Sequence, residues 1–194
     1  MVFRQPGTPA VGKEKNFPAL KTLATLTAPW EVAFDPKWGG PEHAVFPRLM
    51  DWTKLPEEGI KHYSGTATYR TTFELSESDL LASKAGLFLD LGDVRSLATV
   101  RLNGQELGTL WTPPWHVDIA RAAKIGSNTL EVDIINTWNN RLAGDHKLPE
   151  EQRRTWLYED SAWSQMSLNS EKLLPAGLLG PVTLQNEINK EGAE

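Results

Sequence analysis

The stretch His62-Tyr63-Ser64-Gly65-Thr66-Ala67-Thr68-Tyr69-Arg70-Thr71-Thr72-Phe73-Glu74-Leu75 alternates between two kinds of side chain. Its odd-numbered positions are largely apolar, whereas its even-numbered positions are all polar. Because successive side chains of a strand point to opposite faces of a sheet, the pattern predicts a strand with one buried and one solvated face. Such half-solvated strands are typical of antiparallel sheets. The stretch therefore indicates the fold class of the whole chain.

Other segments repeat this alternation and predict further strands. The dipeptide Asn103-Gly104 lies between two of them and predicts a tight hairpin, since a type I′ turn needs positive φ twice. Asp118 is a helix-capping residue and predicts a short helical turn over residues 120–124, which Gly126 ends. The other predicted strands cover residues 30–34, 86–91, 98–102, 105–111, 130–134 and 180–184.

Two long stretches show no regular period. Residues 35–56 are rich in Gly and Pro and predict a loop that is anchored by Trp38, Phe46 and Trp52. Residues 136–174 predict a long irregular loop between the last two strands, and loops of this length are usually functional. Short strands joined by turns around such loops predict an all-β chain, an antiparallel β-sandwich or jelly roll.

The length of 194 residues suits one large domain with short extensions. The sandwich is predicted over residues 26–186. Residues 1–25 predict an N-terminal arm or linker, because their beginning is polar and rich in Pro and Gly. Residues 187–194 predict a charged tail.

The composition excludes several classes of function. The net charge of −5 argues against a nucleic-acid partner, since phosphate binding needs a basic face. The absence of cysteine excludes disulfides, thiolate nucleophiles and zinc–thiolate sites. No apolar run approaches the ~20 residues that cross a bilayer, so no membrane partner is expected. The first residues also lack the pattern of a signal peptide.

Motifs for metals and cofactors are absent as well. The four histidines are widely separated and form no HExxH pattern, which argues against zinc. There is no D-x-D-x-D-G loop, yet carboxylates and carbonyls of a sandwich leave room for a structural calcium ion. No cofactor is predicted, and no GxSxG, P-loop or GxGxxG motif supports an esterase, kinase or dehydrogenase.

The order of the motifs resembles the sugar-binding, galactose-binding-like jelly roll of family 2 glycoside hydrolases. The resemblance covers roughly residues 60–185 and implies the same fold. It rests on the following runs: Tyr69-Arg70-Thr71-Thr72-Phe73-Glu74-Leu75, Leu89-Asp90-Leu91-Gly92-Asp93-Val94, Ala98-Thr99-Val100-Arg101-Leu102-Asn103-Gly104, Val117-Asp118-Ile119, Gly126-Ser127-Asn128-Thr129-Leu130 and Gly177-Leu178-Leu179-Gly180-Pro181-Val182.

A narrower resemblance is to the C-terminal region of family 106 α-L-rhamnosidase-like proteins. In those proteins the catalytic carboxylates lie on a separate (β/α)₈ barrel, so the resemblance implies an accessory domain with carbohydrate and a catalytic domain as partners. It also implies a secreted or periplasmic parent protein. The runs that carry it are Ser64-Gly65-Thr66-Ala67-Thr68-Tyr69, Asn136-Thr137-Trp138-Asn139-Asn140-Arg141-Leu142-Ala143-Gly144-Asp145 and Leu174-Pro175-Ala176-Gly177-Leu178-Leu179-Gly180-Pro181-Val182.

Tryptophans and polar residues after the patterned strands are the candidate sugar-binding residues. Sugars present hydroxyl groups beside apolar C–H patches, so they suit aromatic faces next to amide, carboxylate and guanidinium groups. No catalytic residue is predicted. The candidates are Trp111, Trp115, Trp138, Asn139, Arg141, Asp145, His146, Trp156, Glu159 and Asp160.

Each candidate also has a structural interpretation. Arg141 and Asp145 can form a buried pair that holds the loop on the sandwich, with Trp138 in the core. An aromatic residue at Trp111 or Trp115 is often a packing residue, and Glu159-Asp160 are equally consistent with a solvated loop.

Three hypotheses for function follow. The first is a carbohydrate-binding accessory domain of a glycoside hydrolase, which binds sugar or completes a neighbouring catalytic cleft. The second is a structural spacer on a catalytic barrel, in which every loop tryptophan is buried. The third is a small stand-alone hydrolase, which needs two carboxyl groups facing each other. Exposure of the loop tryptophans discriminates between the first two.

Overall fold

The computed structural model describes residues 19–83, 86–155 and 172–188 of the chain. Its three short helices are α1 (Glu58–Lys61), α2 (Glu77–Ala82) and α3 (Asn139–Asp145), and single 3₁₀ turns cover Pro36–Trp38, Trp52–Lys54 and Glu150–Gln152. The strands are β1 (Leu20–Thr25), β2 (Trp30–Phe34), β3 (Ala44–Phe46), β4 (Thr66–Leu75), β5 (Leu87–Asp90), β6 (Asp93–Arg95), β7 (Leu97–Leu102), β8 (Gln105–Leu110), β9 (His116–Asp118), β10 (Gly126–Ile135), β11 (Gly177–Gly180) and β12 (Thr183–Glu187).

Two antiparallel sheets form the body of the molecule. The larger sheet has the order β3-β2-β4-β10-β7-β8, and the smaller one has the order β1-β12-β5-β9. A separate pair joins β6 to β11. Residues from both sheets meet in one hydrophobic core. The predicted all-β antiparallel sandwich is confirmed. None of the helices in the described ranges is long and apolar enough to cross a membrane.

Strand β4 shows how the alternating pattern positions the sheet. Its odd-numbered residues from Ala67 to Leu75 are buried, and its even-numbered residues are exposed or partly exposed, as predicted. The strand pairs with β10 along its full length, and Tyr69 faces Val132 in the register. The strand is shorter than the pattern suggested. The pattern begins at His62, directly after α1, whereas the chain enters the sheet only at Thr66.

The predicted arm over residues 1–25 is corrected at its end. Residues 20–25 form β1, which pairs with β12 at the edge of the smaller sheet. In this edge strand only Leu20 and Leu23 are partly buried, so its sequence shows no alternation. Pairing with β12 therefore specifies the strand, rather than its own hydrophobic pattern.

The two predicted loops contain more regular structure than their sequences suggest. Phe46 and Trp52 anchor the first loop from the core, whereas Trp38 is only partly buried. The second loop contains α3, a helix that its two asparagines and Gly144 do not favour. The predicted helical turn after Asp118 is present as a single turn, in which Ala122 N and Ala123 N both donate to the Ile119 carbonyl and Ala120 N donates to the Asp118 carboxylate.

An aromatic cluster fills the core below β2 and β4. The ring of Phe34 contacts those of Tyr63 and Trp52 edge-on, at centroid distances of 4.9 and 5.4 Å. The indole Nε1 of Trp52 donates a hydrogen bond of 2.6 Å to the Tyr69 hydroxyl, and burial raises the pKa of that phenol. These contacts hold in place the end of β2 and the residues just before β4.

Asn128 at the start of β10 is hydrogen-bonded to the turn that precedes this strand. Its buried amide accepts hydrogen bonds from Lys124 N and Asn103 Nδ2, and it donates to the carbonyls of Lys124 and Gly126. Replacement by alanine leaves these groups without partners, so we expect Asn128→Ala to lower the free energy of unfolding by about 2–3 kcal/mol. Urea denaturation measures this change in the free energy of unfolding.

The neighbouring Ser127 provides the matched control for this prediction. Its side chain is exposed, so Ser127→Ala is expected to stay within about 0.5 kcal/mol of the unaltered chain. Equal stabilities of the two variants would show that the Asn128 network does not hold the turn.

Candidate functional site

Several loops that carry candidate residues leave the larger sheet at the same end. The register pairs Ile135 with both Thr66 and Leu97, Phe34 with Ala67, and Leu110 with Ala98. The chain therefore leaves β2, β8 and β10, and enters β4 and β7, at the same end of the strands. We call this end of the sheet the loop end, and it comprises residues 35–39, 62–65, 95–96, 111–114 and 136–146. From β2 to β8 it spans four strand spacings, or about 19 Å.

Trp138 is an exposed aromatic residue at the centre of the loop end. Its side chain is 46% exposed, and its ring meets that of Trp38 in a T-shaped contact with centroids 4.7 Å apart. The ammonium group of Lys37 lies 5.1 Å from the centre of the Trp38 ring. The structural interpretation that placed Trp138 in the core is therefore wrong.

Trp111 is the second exposed indole of the loop end. It follows β8 and is 76% exposed, the highest exposure among the large hydrophobic residues that the structure describes. Trp115 differs from it, because its side chain is partly buried and packs against the core while its carbonyl accepts a hydrogen bond from Leu91 N. The diproline segment thus separates an outward from an inward tryptophan.

Arg141 and Asp145 form a buried ion pair on α3. Arg141 Nη2 lies 2.7 Å from Asp145 Oδ1, and both side chains are more than nine-tenths buried. This contact is a charge contact whose angle is poor for a hydrogen bond, and Arg141 Nε has no hydrogen-bond acceptor within the described ranges. The structural interpretation of this pair therefore holds: both charged groups face into the domain.

The second carboxylate oxygen of Asp145 fastens the chain that follows α3. It accepts hydrogen bonds from Arg154 N, Thr155 N and Thr155 Oγ1, at 3.0, 2.8 and 2.7 Å. Arg141 binds the segment before β4 and the segment after β2, since its backbone N–H donates to Ser64 Oγ and its Nη1 donates to the carbonyl of Trp38. The pair thus positions Trp38 and Trp138 instead of contacting a ligand itself.

The remaining candidates fall into two groups. Asn139 is partly buried and donates a hydrogen bond to the side chain of Asn140, and His146 is exposed at the end of α3. Trp156, Glu159 and Asp160 lie outside the described residues. The structure thus brings Trp138, Asn139 and His146 together on one short segment, with Trp111 two strands away.

A pocket of about 200 Å³ lies at the loop end, and Thr137, the residue before Trp138, is part of its lining. Arg95, Ser96, Asn136 and Asn140 contribute to its wall. The Asn136 amide binds Gly65 N and the Tyr63 carbonyl, and the Asn140 amide binds both backbone groups of Leu174. The last contact joins residues 34 positions apart, so no local pattern could have revealed it. The two amides make the pocket wall rigid.

A larger cleft of about 380 Å³ lies near the start of β2, away from the loop end. It is mainly apolar, and Arg48 is its charged residue. Trp30 contributes to its floor and is 1% exposed. The cleft therefore lacks the exposed aromatic faces of the loop end.

His62 is a buried titratable group next to α3. Its Nδ1 lies 3.0 Å from a carboxylate oxygen of Glu58, and its ring packs against Gly144. Burial lowers the pKa of His62, although the Glu58 carboxylate opposes that shift. The ring is therefore neutral near pH 7 and acts as a packing residue.

Metal binding finds no support in the described ranges of the chain. No group of three or more His, Asp or Glu side chains lies there in an arrangement that could hold an ion. The calcium ion considered above stays a prediction.

The comparison with known families adds to this geometry. Residues 54–172 match the model of the family described as glycosyl hydrolase 2 galactose-binding domain-like. The chain belongs to this family. The resemblance drawn from the order of its motifs is confirmed, and so is the sandwich fold that the resemblance implied.

Two relatives place the galactose-binding-like domain in longer proteins. A Formosa agariphila protein named "Putative beta-glucuronidase" is 38% identical over 184 residues, which cover 85% of this chain and 16% of that protein. The solved structure of a rhamnosidase from Novosphingobium sp. PP1Y is 36% identical, with a TM-score of 0.72 over 86% of this chain and 15% of that one. This chain thus spans about one sixth of their length, as an accessory domain does.

Proposed function

We propose that this galactose-binding-like domain serves a glycoside hydrolase by presenting its loop end to carbohydrate. The exposure of Trp111 and Trp138 at one end of the sheet carries the proposal. Large exposed indoles cost solvation free energy, and stacking against the apolar C–H face of a sugar ring relieves that cost. The pocket held by Asn136 and Asn140 adds the hydroxyl groups of Ser96 and Thr137 at the same end of the sheet.

A catalytic domain is the proposed partner of this surface. This chain covers only 16% and 15% of the two relatives, and their names refer to activity on glycosides. The loop end then contributes an aromatic platform next to chemistry that the rest of such a protein performs. The stand-alone hydrolase has less support, because the buried Asp145 faces inward and is fully engaged with Arg141 and Thr155.

The pure spacer has less support as well. Its mark would be that every loop tryptophan is buried, yet two of those in the described ranges are 76% and 46% exposed.

Calorimetric titration of the domain with rhamnose-containing, pectic and hemicellulosic oligosaccharides tests the proposal. We expect binding by the unaltered domain and a loss of affinity of about tenfold or more in each of Trp111→Ala and Trp138→Ala. Both side chains are exposed, so the substitutions are expected to leave the melting temperature nearly unchanged.

Ile125 supplies the matched control for these variants. It is 60% exposed but lies just before β10, at the opposite end of that strand from Trp138. Ile125→Ala is expected to bind like the unaltered domain. No binding to any oligosaccharide of the panel, or unchanged affinity in both tryptophan variants, would contradict the proposal.

A further inference from the structure

Arg154 is a basic residue hydrogen-bonded to the loop-end turn of residues 35–39, and no carboxylate of the described ranges pairs with it. Arg154 donates from Nη1 to the carbonyls of Lys37 and Pro36, at 2.7 and 3.3 Å. Its side chain is exposed, and its Nε–Nη2 edge has no acceptor within the described ranges. Through this edge an arginine binds a carboxylate with two parallel hydrogen bonds.

Further positive charges surround this edge. A Cβ atom on Gly39 would lie 3.1 Å from Arg141 Nη1 and 3.2 Å from Arg154 Nε, so the two guanidinium groups converge on the same turn. Lys37 lies on that turn, with its ammonium group over Trp38. Among the described residues, Asp145 pairs with Arg141, and Asp35 accepts a hydrogen bond from the backbone N–H of Lys37. Within the described ranges no carboxylate forms an ion pair with Arg154 or with Lys37.

The aromatic and basic groups are continuous. The Trp38 ring contacts that of Trp138, the Lys37 ammonium group lies 5.1 Å from the centre of the Trp38 ring, and the Lys37 carbonyl accepts a hydrogen bond from Arg154 Nη1. A chain of contacts through Trp38 and Lys37 thus leads from the exposed Trp138 indole to the guanidinium edge of Arg154. An apolar ring face with a carboxylate at its margin matches this arrangement.

We infer that the loop end selects acidic sugars, with the ring of a uronic acid on Trp138 and its carboxylate on the Nε–Nη2 edge of Arg154. This inference rests on the proposed carbohydrate binding and names the class of sugar. Lys37 adds to the positive potential, and Arg141 keeps the turn in place from below. The contact is charge-assisted and partly exposed, so salt weakens it.

Pairs of probes that differ only in charge test the inference. Trisaccharides of galacturonic acid and of glucuronic acid are titrated into the domain at low salt, each beside its neutral methyl ester. We expect the acid to bind about tenfold more tightly than its ester in at least one pair, and this preference to shrink when salt is added.

Variants of two adjacent arginines assign the effect. Arg154→Gln is expected to remove the preference for the acid and to leave the affinity for the ester within about twofold. Arg154→Lys keeps the charge without the fork and is expected to retain part of the preference. Arg153 is also exposed, but its Nε donates to the Leu148 carbonyl, so Arg153→Gln is the matched control and should change neither affinity.

The outcomes separate this inference from the proposal beneath it. Equal affinities for acid and ester in both pairs, or an equal loss of both in Arg154→Gln, would overturn the choice of acidic sugars while carbohydrate binding stands. Failure of both acids and both esters to bind would also overturn the choice of acidic sugars, and carbohydrate binding itself would be overturned only if the rhamnose-containing and hemicellulosic oligosaccharides fail to bind as well.

Discussion

Asp145→Ala is expected to lower the free energy of unfolding by about 3–5 kcal/mol, because the substitution leaves the buried guanidinium group of Arg141 without its counter-charge. Asp145 is 2% exposed, so water cannot replace the lost carboxylate. Arg154 N, Thr155 N and the Thr155 hydroxyl lose their shared acceptor at the same time. Urea denaturation followed by tryptophan fluorescence measures the change.

Asp93 is the matched control for this substitution. It pairs with Arg95 at 2.7 Å, but both side chains are more than two-fifths exposed. Exposed pairs contribute little, so Asp93→Ala is expected to cost at most about 1 kcal/mol. If Asp145→Ala were no more destabilising than Asp93→Ala, the role of the buried pair in holding α3 would be refuted.

Gly92→Ala is the second substitution with a large expected effect, about 4 kcal/mol. Gly92 has φ +69°, and an added Cβ would lie 2.5 Å from both Gly180 C and the Pro181 carbonyl oxygen. These are backbone atoms that can move only if the neighbouring strands β11 and β12 shift. The left-handed conformation and the forced displacement both contribute to the cost. Thermal unfolding monitored by circular dichroism gives the change in melting temperature.

Gly104 separates the two contributions. It has a similar φ of +80°, yet no atom lies within 4 Å of the position of its Cβ. Gly104→Ala therefore carries only the conformational cost, which is about 1–2 kcal/mol. Similar melting temperatures for the two variants would mean that the close approach of Gly92 to the Gly180–Pro181 backbone does not constrain the fold.

The sandwich could be predicted because its central strands carry their own signal. In β4 and β10 one face packs in the core and the other meets water, so the alternation of their residues reports the structure directly. β1 could not be predicted in this way, because only two of its six residues are partly buried. Its conformation depends on hydrogen bonds to β12, more than 150 positions later.

The residue types of the candidate site could be predicted from the sequence, but the directions in which their side chains point could not. The sequence predicts that Trp138, Arg141 and Asp145 are suited to sugar, yet Arg141 and Asp145 turn inward while Trp138 turns outward. That division follows from contacts distant in sequence, such as Arg141 N with Ser64 Oγ across 77 positions. Arg154 gave no signal of its own, because its place beside Lys37 exists only in the folded chain.

The most direct test of the account is a ¹H–¹⁵N correlation spectrum of the domain, with its tryptophan indole signals followed while the panel of oligosaccharides is added. We expect the signals of Trp111 and Trp138 to shift with ligand, whereas those of the buried Trp30 and Trp52 stay in place. Binding that leaves the signals of Trp111 and Trp138 unmoved, or that shifts Trp30 in the apolar cleft instead, would contradict the claim that the loop end receives carbohydrate.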